Sequence, residues 1–206
     1  MKIGVIDYGM GNLFSVEQAL KKLDAEVVVT SDKTQLQAVD ALLLPGVGAF
    51  PDAMKRLEET DLIDFIQTTK KPLLGICLGM QLLFEESDEV TPTKGLGIFT
   101  GRIKRFEGVS RIPHMGWNNL ELLQTPDWLN EQSLPEARHV YFVHSFYASD
   151  MNVDELVAYA DYENLQVPGI VSAENFTGMQ FHPEKSGQFG VHLLTAWAKG
   201  VMDTVC

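Results

Sequence analysis

The chain has 206 residues, 45% hydrophobic and 21% charged, the balance of a globular protein long enough to bury one large core. A net charge of −12 argues against nucleic acid or an anionic membrane as partner, since both need basic surface. No apolar run approaches the roughly 20 residues of a membrane span, and the N-terminal run meets Asp7 and glycines too early for a signal peptide. In chain order, "KIGVID" (Lys2–Asp7) predicts a short buried strand followed by a glycine turn. "NLFSVEQALKKL" (Asn12–Leu23) has helical spacing at Leu13, Val16, Leu20 and Leu23. "EVVVT" (Glu26–Thr30) and "ALLLPG" (Ala41–Gly46) read as strands, the second ended by Pro45. "DAMKRLEETDLIDFIQTT" (Asp52–Thr69) is helical, in one or two pieces, and "PLLGI" (Pro72–Ile76) is a further buried strand. Apolar strands alternating with helices predict a mostly parallel sheet covered on both faces. The second half offers short strands at turn spacing in "GRIKRF", "WNNLELL", "HVYFVHSFYAS", "ELVAYAD", "GIVSAEN" and "FTGMQF", then a final helix near Gly187–Lys199. The expectation is one domain over 1–206, an α/β fold whose central, mostly parallel mixed sheet is flanked by helices and carries an antiparallel extension.

Two cysteines, Cys77 and Cys206, are too few for a disulfide framework, so the chain reads as cytoplasmic and reduced. Cys206 is the last residue and does not form a prenylation signal. "GMGNLF" (Gly9–Phe14) nearly matches a dinucleotide fingerprint, but Phe14 stands where the third glycine belongs, which favours a plain tight turn. No G-x-x-x-x-G-K-[ST] occurs. The five histidines (His114, His139, His144, His182, His192) have no metal-ligand spacing with cysteine. The reading assigns no cofactor and no metal.

The informative stretch is "KKPLLGICLGMQLLFEE" (Lys70–Glu86), an apolar strand that turns into a helix at Cys77 between Gly75 and Gly79. A nucleophile on such a corner projects from a strained backbone, and its neighbours two positions away must be small. The helix start favours thiolate, and the Leu78 N–H is placed to meet an oxyanion. A small buried cysteine beside incidental glycines is the plainer alternative. Beyond the corner "MQLLFEE" is expected to continue as helix, with Gln81 and Glu85 stacked beneath the thiol on one face; a solvent-exposed polar face fits that pattern equally. A thiolate needs a base and the base an orienter. "GMQFHPEKSG" (Gly178–Gly187) offers both. Pro183 pushes His182 toward an extended conformation, where His182 and Glu184 point the same way.

"GICLGMQLLFE" together with "FHPEKS" resembles the class I glutamine amidotransferases, a family that joins G-x-C-x-G-x-Q to a later H-P-E. Within it "VIDYGMGNLFSVEQAL", "LPGVGAF", "IPHMGWN" and "YFVHSFY" resemble the glutaminase subunits of imidazole glycerol phosphate synthases, over essentially the whole chain. The resemblance implies a triad of Cys77 as nucleophile, His182 as acid and base, and Glu184 as orienter, releasing ammonia from glutamine. The oxyanion donors would be Leu78 and, from the loop Pro45–Phe50, Val47 or Gly48. An ordinary turn explains those glycines as well. By the same resemblance Gln81, Glu85, His144, Ser145 and Phe146 would hold the amino-acid end of glutamine.

The chain shows no second catalytic constellation and no large phosphate loop, so the ammonia acceptor is expected on a partner. The resemblance implies a (β/α)₈-barrel cyclase, in a heterodimer. Asn12, Met115, Trp117, Tyr141 and Lys185 are candidates to face it, with core packing the alternative for Trp117 and Tyr141. Two other readings stay open at this point: a glutaminase for another synthase, such as that of vitamin B6, and a regulatory protein with a dead site.

Overall fold

The computed structural model describes residues 1–130 and 134–205, so the reading of Cys206 lies outside the described residues. The first half runs β1 (Lys2–Ile6), α1 (Leu13–Lys21), β2 (Glu26–Thr30), α2 (Lys33–Gln37), β3 (Ala41–Leu44), α3 (Phe50–Glu59), α4 (Ile63–Thr68) and β4 (Leu73–Ile76). Then come α5 (Leu78–Leu82), β5 (Phe84–Ser87), β6 (Thr93–Lys94), β7 (Phe99–Arg105), β8 (His114–Asn119), β9 (Glu121–Leu122), β10 (His139–His144) and β11 (Phe146–Ser149). The chain closes with β12 (Leu156–Tyr162), β13 (Leu165–Ala173), β14 (Phe176–Met179) and α6 (Gly187–Val205).

An eight-stranded sheet in the order β2-β1-β3-β4-β14-β13-β12-β9 forms the frame. Strands β2, β1, β3, β4 and β14 are parallel, and β13, β12 and β9 extend the sheet antiparallel. That is the mixed sheet with antiparallel extension read from the sequence. Strands β5, β6, β7 and β11 form a second sheet, and β8 pairs with β10 alone.

The parallel strands are apolar throughout because both faces are covered. In β3, Ala41 and Leu43 enter one core with residues of α1 and α6, whereas Leu42 and Leu44 enter another with residues of α2 to α5. Strand β4 divides likewise, Leu74 and Ile76 to the first core and Leu73 to the second. A side-chain period of two makes this division automatic.

The Asp52–Thr69 segment is helical in two pieces, as the reading allowed, broken where Asp61 takes φ +56°. Two element readings need correction. Helix α2 went unseen because it is five residues long; Asp32 starts it by accepting the Thr34 N–H at 2.7 Å. The second correction bears on the site. The helix after Cys77 ends at Leu82, and Phe84–Ser87 is strand. The returning segment captures this backbone, with the Leu96 N–H on Leu82 O at 2.8 Å and the Gly95 N–H on Glu85 O at 2.7 Å. Glu85 is therefore exposed, with its carboxylate on the Gly101 N–H at 2.8 Å, and does not stack beneath the thiol.

Candidate active site

Strands β4 and β14 lie side by side and parallel, so their C-terminal ends open at one place, where ligands gather in open α/β sheets. Cys77 follows β4 and His182 follows β14. Cys77 has φ +55° and ψ −112°, a left-handed conformation rare for a residue with a side chain. It is held there by its N–H donating to Met179 O at 2.8 Å and by its carbonyl accepting from Gln81 N–H at 3.2 Å.

The flanking glycines are matters of clearance. A Cβ on Gly75 would come within 2.7 Å of Gly79 O, and a Cβ on Gly79 within 1.9 Å of Leu44 O. The corner closes only because neither exists. Gly79→Ala is accordingly expected to cost about 1–3 kcal/mol or more, a fall in Tm of at least several degrees in a chain of this size. Thermal unfolding checks it, and an unchanged Tm would show that the corner opens easily.

Cys77 and His182 line the same cleft and interact there, and His182 Nδ1 binds Glu184 Oε1 at 2.8 Å, which leaves Nε2 as the ring nitrogen for the sulfur. Burial works against a charged imidazole here, but the hydrogen bonds and negative charges of Cys77 and Glu184 outweigh it and push His182 up to about 9. Among the groups that raise it, Cys77 comes first and Glu184 second. The Glu184 side chain is 2% exposed, and its Oε2 has no hydrogen-bond partner among the described residues. Helix α5 has only five residues, so its dipole is small.

The cleft at the thiol holds about 440 Å³ and is lined by Cys77, Leu78, Gln81, His182, Val47 and Gly48, among others. A larger cavity of about 830 Å³ lies beneath Trp128 and Trp197 and contains no member of the triad. Chemistry, not size, selects the site. Leu78 is the first residue of α5, where an N–H has no intrahelical acceptor. Gly48 takes φ +102° and Val47 is half exposed at the cleft edge.

The predicted amino-acid subsite divides. Gln81 is buried and lines the cleft, its amide donating to Phe146 O and Gln180 Oε1, both at 2.9 Å. His144, Ser145 and Phe146 line it too, because the chain crosses at Ser145 from the β8–β10 pair into the second sheet. Glu85 does not line the cleft. Glu89 does, as the one acidic side chain among the described residues there.

His144 is a brace rather than a charge. Its Nδ1–H donates to Phe146 O at 2.8 Å, so Nε2 accepts from His114 Nδ1–H at 3.2 Å, and His114 Nε2 accepts from Asn118 at 3.3 Å. Burial first, with the neighbouring imidazoles assisting, drives His144 down to about 3, and burial drives His114 down to about 4, so both are neutral.

Sequence reasoning missed Gln180, which is fully buried, with Nε2 4.0 Å from Cys77 Sγ. Gln180 and His182 stand two apart in the segment that follows β14, whereas Glu184 reaches the imidazole from a 3₁₀ turn, Pro183–Lys185, and not from the extended backbone expected from the sequence. Of the partner candidates, Asn12 and Lys185 line the cleft, with Asn12 also the N-cap of α1. Met115 and Trp117 are 64% and 57% exposed, and Trp117 meets Tyr141 edge to face at 6.0 Å. No group of three potential metal ligands occurs among the described residues, and none of their helices is long and apolar enough to cross a membrane.

The family model for class I glutamine amidotransferases matches residues 4–198. This chain belongs to the class I glutamine amidotransferases. Curated relatives in that family include the imidazole glycerol phosphate synthase subunit HisH of Geobacillus thermodenitrificans, 48% identical over 95% of this chain and 94% of that protein. The HisH of Exiguobacterium sibiricum is 50% identical over 95% and 93%. Among solved structures, one described as a glutamine amidotransferase superposes with a TM-score of 0.75 at 20% identity, covering 97% of this chain and 98% of that one. A putative GMP synthase subunit from Thermoplasma acidophilum superposes at 0.72 and 20%, over 100% and 96%. At that identity the structures speak for the amidotransferase fold alone.

Proposed function

We propose that this chain is the glutaminase subunit of an imidazole glycerol phosphate synthase, serving histidine biosynthesis. It hydrolyses glutamine to glutamate and ammonia and hands the ammonia to a cyclase partner. The observation that carries the reading is Cys77, on its strained corner, sharing its cleft with a histidine that Glu184 holds at 2.8 Å.

The Cys77 thiolate attacks the side-chain amide carbon of glutamine. A C–S bond forms, and the carbonyl electron pair moves onto oxygen. Leu78 N–H and an amide of the Val47–Gly48 stretch receive that oxyanion. As the oxyanion collapses, the C–N bond breaks and His182 Nε2–H protonates the departing nitrogen. His182 then takes a proton from water, whose oxygen attacks the thioester. Glutamate leaves and the thiolate returns. Gln180 and Gln81, linked by a hydrogen bond of 2.9 Å, fix the floor beneath the reacting carbon.

Ammonia is mostly protonated in neutral water and then is no nucleophile, so it has to pass between sites unreleased. The relatives are named as subunits, which fits an acceptor site on another chain. We assign that partner as a (β/α)₈-barrel cyclase. Its docking face would be the exposed Met115 and Trp117 with Tyr141, beside Asn12 and Lys185 at the cleft mouth. That face is wired to the base, since His182 N–H donates to Tyr141 O at 3.0 Å and Tyr141 N–H to Ser186 Oγ at 2.9 Å.

A glutaminase of this kind should be quiet alone. One misplaced oxyanion donor costs about 10²–10³ in turnover, and partner binding can favour the productive loop only through differential affinity for it. Glutamate release, measured for the free chain, the complex and the complex with its nucleotide ligand, is expected to rise by orders of magnitude at the last step. Equal rates in all three would leave a constitutive glutaminase.

A further inference from the structure

Beside the thiol runs a chain of hydrogen bonds whose polarity is forced from one end. That end is the carbonyl of Phe146. It accepts the His144 Nδ1–H at 2.8 Å and an amide hydrogen of Gln81 at 2.9 Å. A carbonyl only accepts, so the Gln81 atom facing it is nitrogen. The second hydrogen of that nitrogen goes to Gln180 at 2.9 Å, so the Gln180 atom it meets is oxygen. The nitrogen of Gln180 is thereby turned toward Cys77 Sγ, 4.0 Å away.

Both amides are held inside the protein, with Gln180 fully buried and Gln81 4% exposed. The Gln180 N–H donates to Gly169 O in β13 at 2.9 Å, and the Cys77 N–H donates to the carbonyl of Met179, the residue just before Gln180. Donor and sulfur are therefore carried on backbone that is already hydrogen-bonded together. A buried amide costs free energy unless its hydrogens are used, and a desolvated thiolate needs donors for the same reason. The distance is long, as catalytic hydrogen bonds often are without substrate, and a donor draws closer to an acceptor that carries charge. Cys77 and Gln81 line the cleft, whereas Gln180 does not, so its amide meets the sulfur from the protein side.

We propose that Gln180 is a catalytic residue whose side-chain N–H donates to the Cys77 sulfur whenever that sulfur carries charge. The proposal rests on the glutaminase reading and adds a donor to its mechanism. The sulfur is negative twice in each turnover. It starts as thiolate, and its electron pair passes to the amide carbon as the C–S bond forms. The pair returns to sulfur once the oxygen of water has attacked the thioester and the C–S bond breaks. On both occasions the Gln180 N–H faces the charge from the side away from the substrate. An amide does not give up its proton, so it stabilises the thiolate and leaves proton transfer to His182.

Gln180→Met keeps the length of the side chain and removes the donor. Alkylation of Cys77 by iodoacetamide across pH, read by peptide mapping in the full chain, counts the thiolate. Its rising limb should move up by about one pH unit, a tenfold loss of thiolate at any pH below the limb. In the complete synthase with its nucleotide ligand, kcat for glutamate release should fall about tenfold with KM no higher than wild type, because sulfur becomes the poorer leaving group. A limb that stays in place overturns the proposal. So does a loss that lies wholly in KM, which would make Gln180 a support for Gln81 alone. If the variant folds poorly, the wild-type chain decides: the side-chain amide resonance of Gln180 should follow the alkylation limb as pH is varied, and a resonance that ignores the limb overturns the proposal equally. A wild-type complex whose Cys77 alkylates along that limb but which releases no glutamate would instead overturn the glutaminase reading and leave the donor standing.

Discussion

Replacing Cys77 with alanine is expected to end glutamine-dependent synthesis while the complex still works on added ammonia. The thiol makes and breaks the only covalent bond between this chain and its substrate, and losing a triad nucleophile costs on the order of 10⁶ in turnover in a well-studied protease. The ammonia-dependent step belongs to the partner and needs neither thiol nor imidazole. Loss of both activities would mean that the substitution disturbs docking. Glutamine turnover by the variant near the wild-type rate would end the nucleophile assignment. An electrophile shaped like glutamine should label Cys77 and spare Cys206, which peptide mapping would reveal.

The second large effect is at the base. His182→Ala removes proton transfer in both halves of the reaction, which contributes about 10²–10⁴-fold. Glu184→Gln keeps shape and removes charge, so it should cost less; a more active His182→Ala than Glu184→Gln would reverse the roles. The pH profile separates them further. His182 is raised to about 9 in the folded protein against the ordinary 6.5. Its imidazolium therefore contributes stability fully below about pH 6.5, and that contribution is lost as pH rises through about 9. Turnover should fall over the same alkaline range, because a neutral imidazole has no proton for the leaving ammonia. In Glu184→Gln the alkaline limb should move to lower pH, since an amide no longer attracts the proton. An unmoved limb would mean that Cys77 alone holds it.

The proposed catalytic residues could be picked out because their pattern is written locally. A glycine-flanked cysteine and a histidine two residues before a glutamate each announce geometry within one short segment. The alternation of apolar strands and helices likewise gave the parallel sheet, since period two and full burial leave a plain trace. What stayed hidden depends on contacts remote in sequence. "MQLLFEE" has the composition of a helix, yet the segment around Gly95–Gly97 takes its carbonyls and turns Phe84–Ser87 into strand. That loss moved the acidic residue of the cleft from Glu85 to Glu89, at the far end of β5, where no local pattern marks it. In the sequence His114 was one of five histidines without metal-ligand spacing, and only the pairing of β8 with β10 shows that it bonds His144.

The neighbouring of β4 and β14 has a consequence for how the protein is made. Cys77 emerges from the ribosome more than a hundred residues before His182, the base with which the folded site pairs it. Strand β14 is the last strand of the chain, and the slot it fills between β4 and β13 stays open until almost the whole polypeptide has been synthesised. The nascent chain therefore carries an unactivated cysteine. Reactivity arrives with the closing of the sheet, so a truncated or half-folded product holds a thiol of ordinary character rather than an uncontrolled nucleophile.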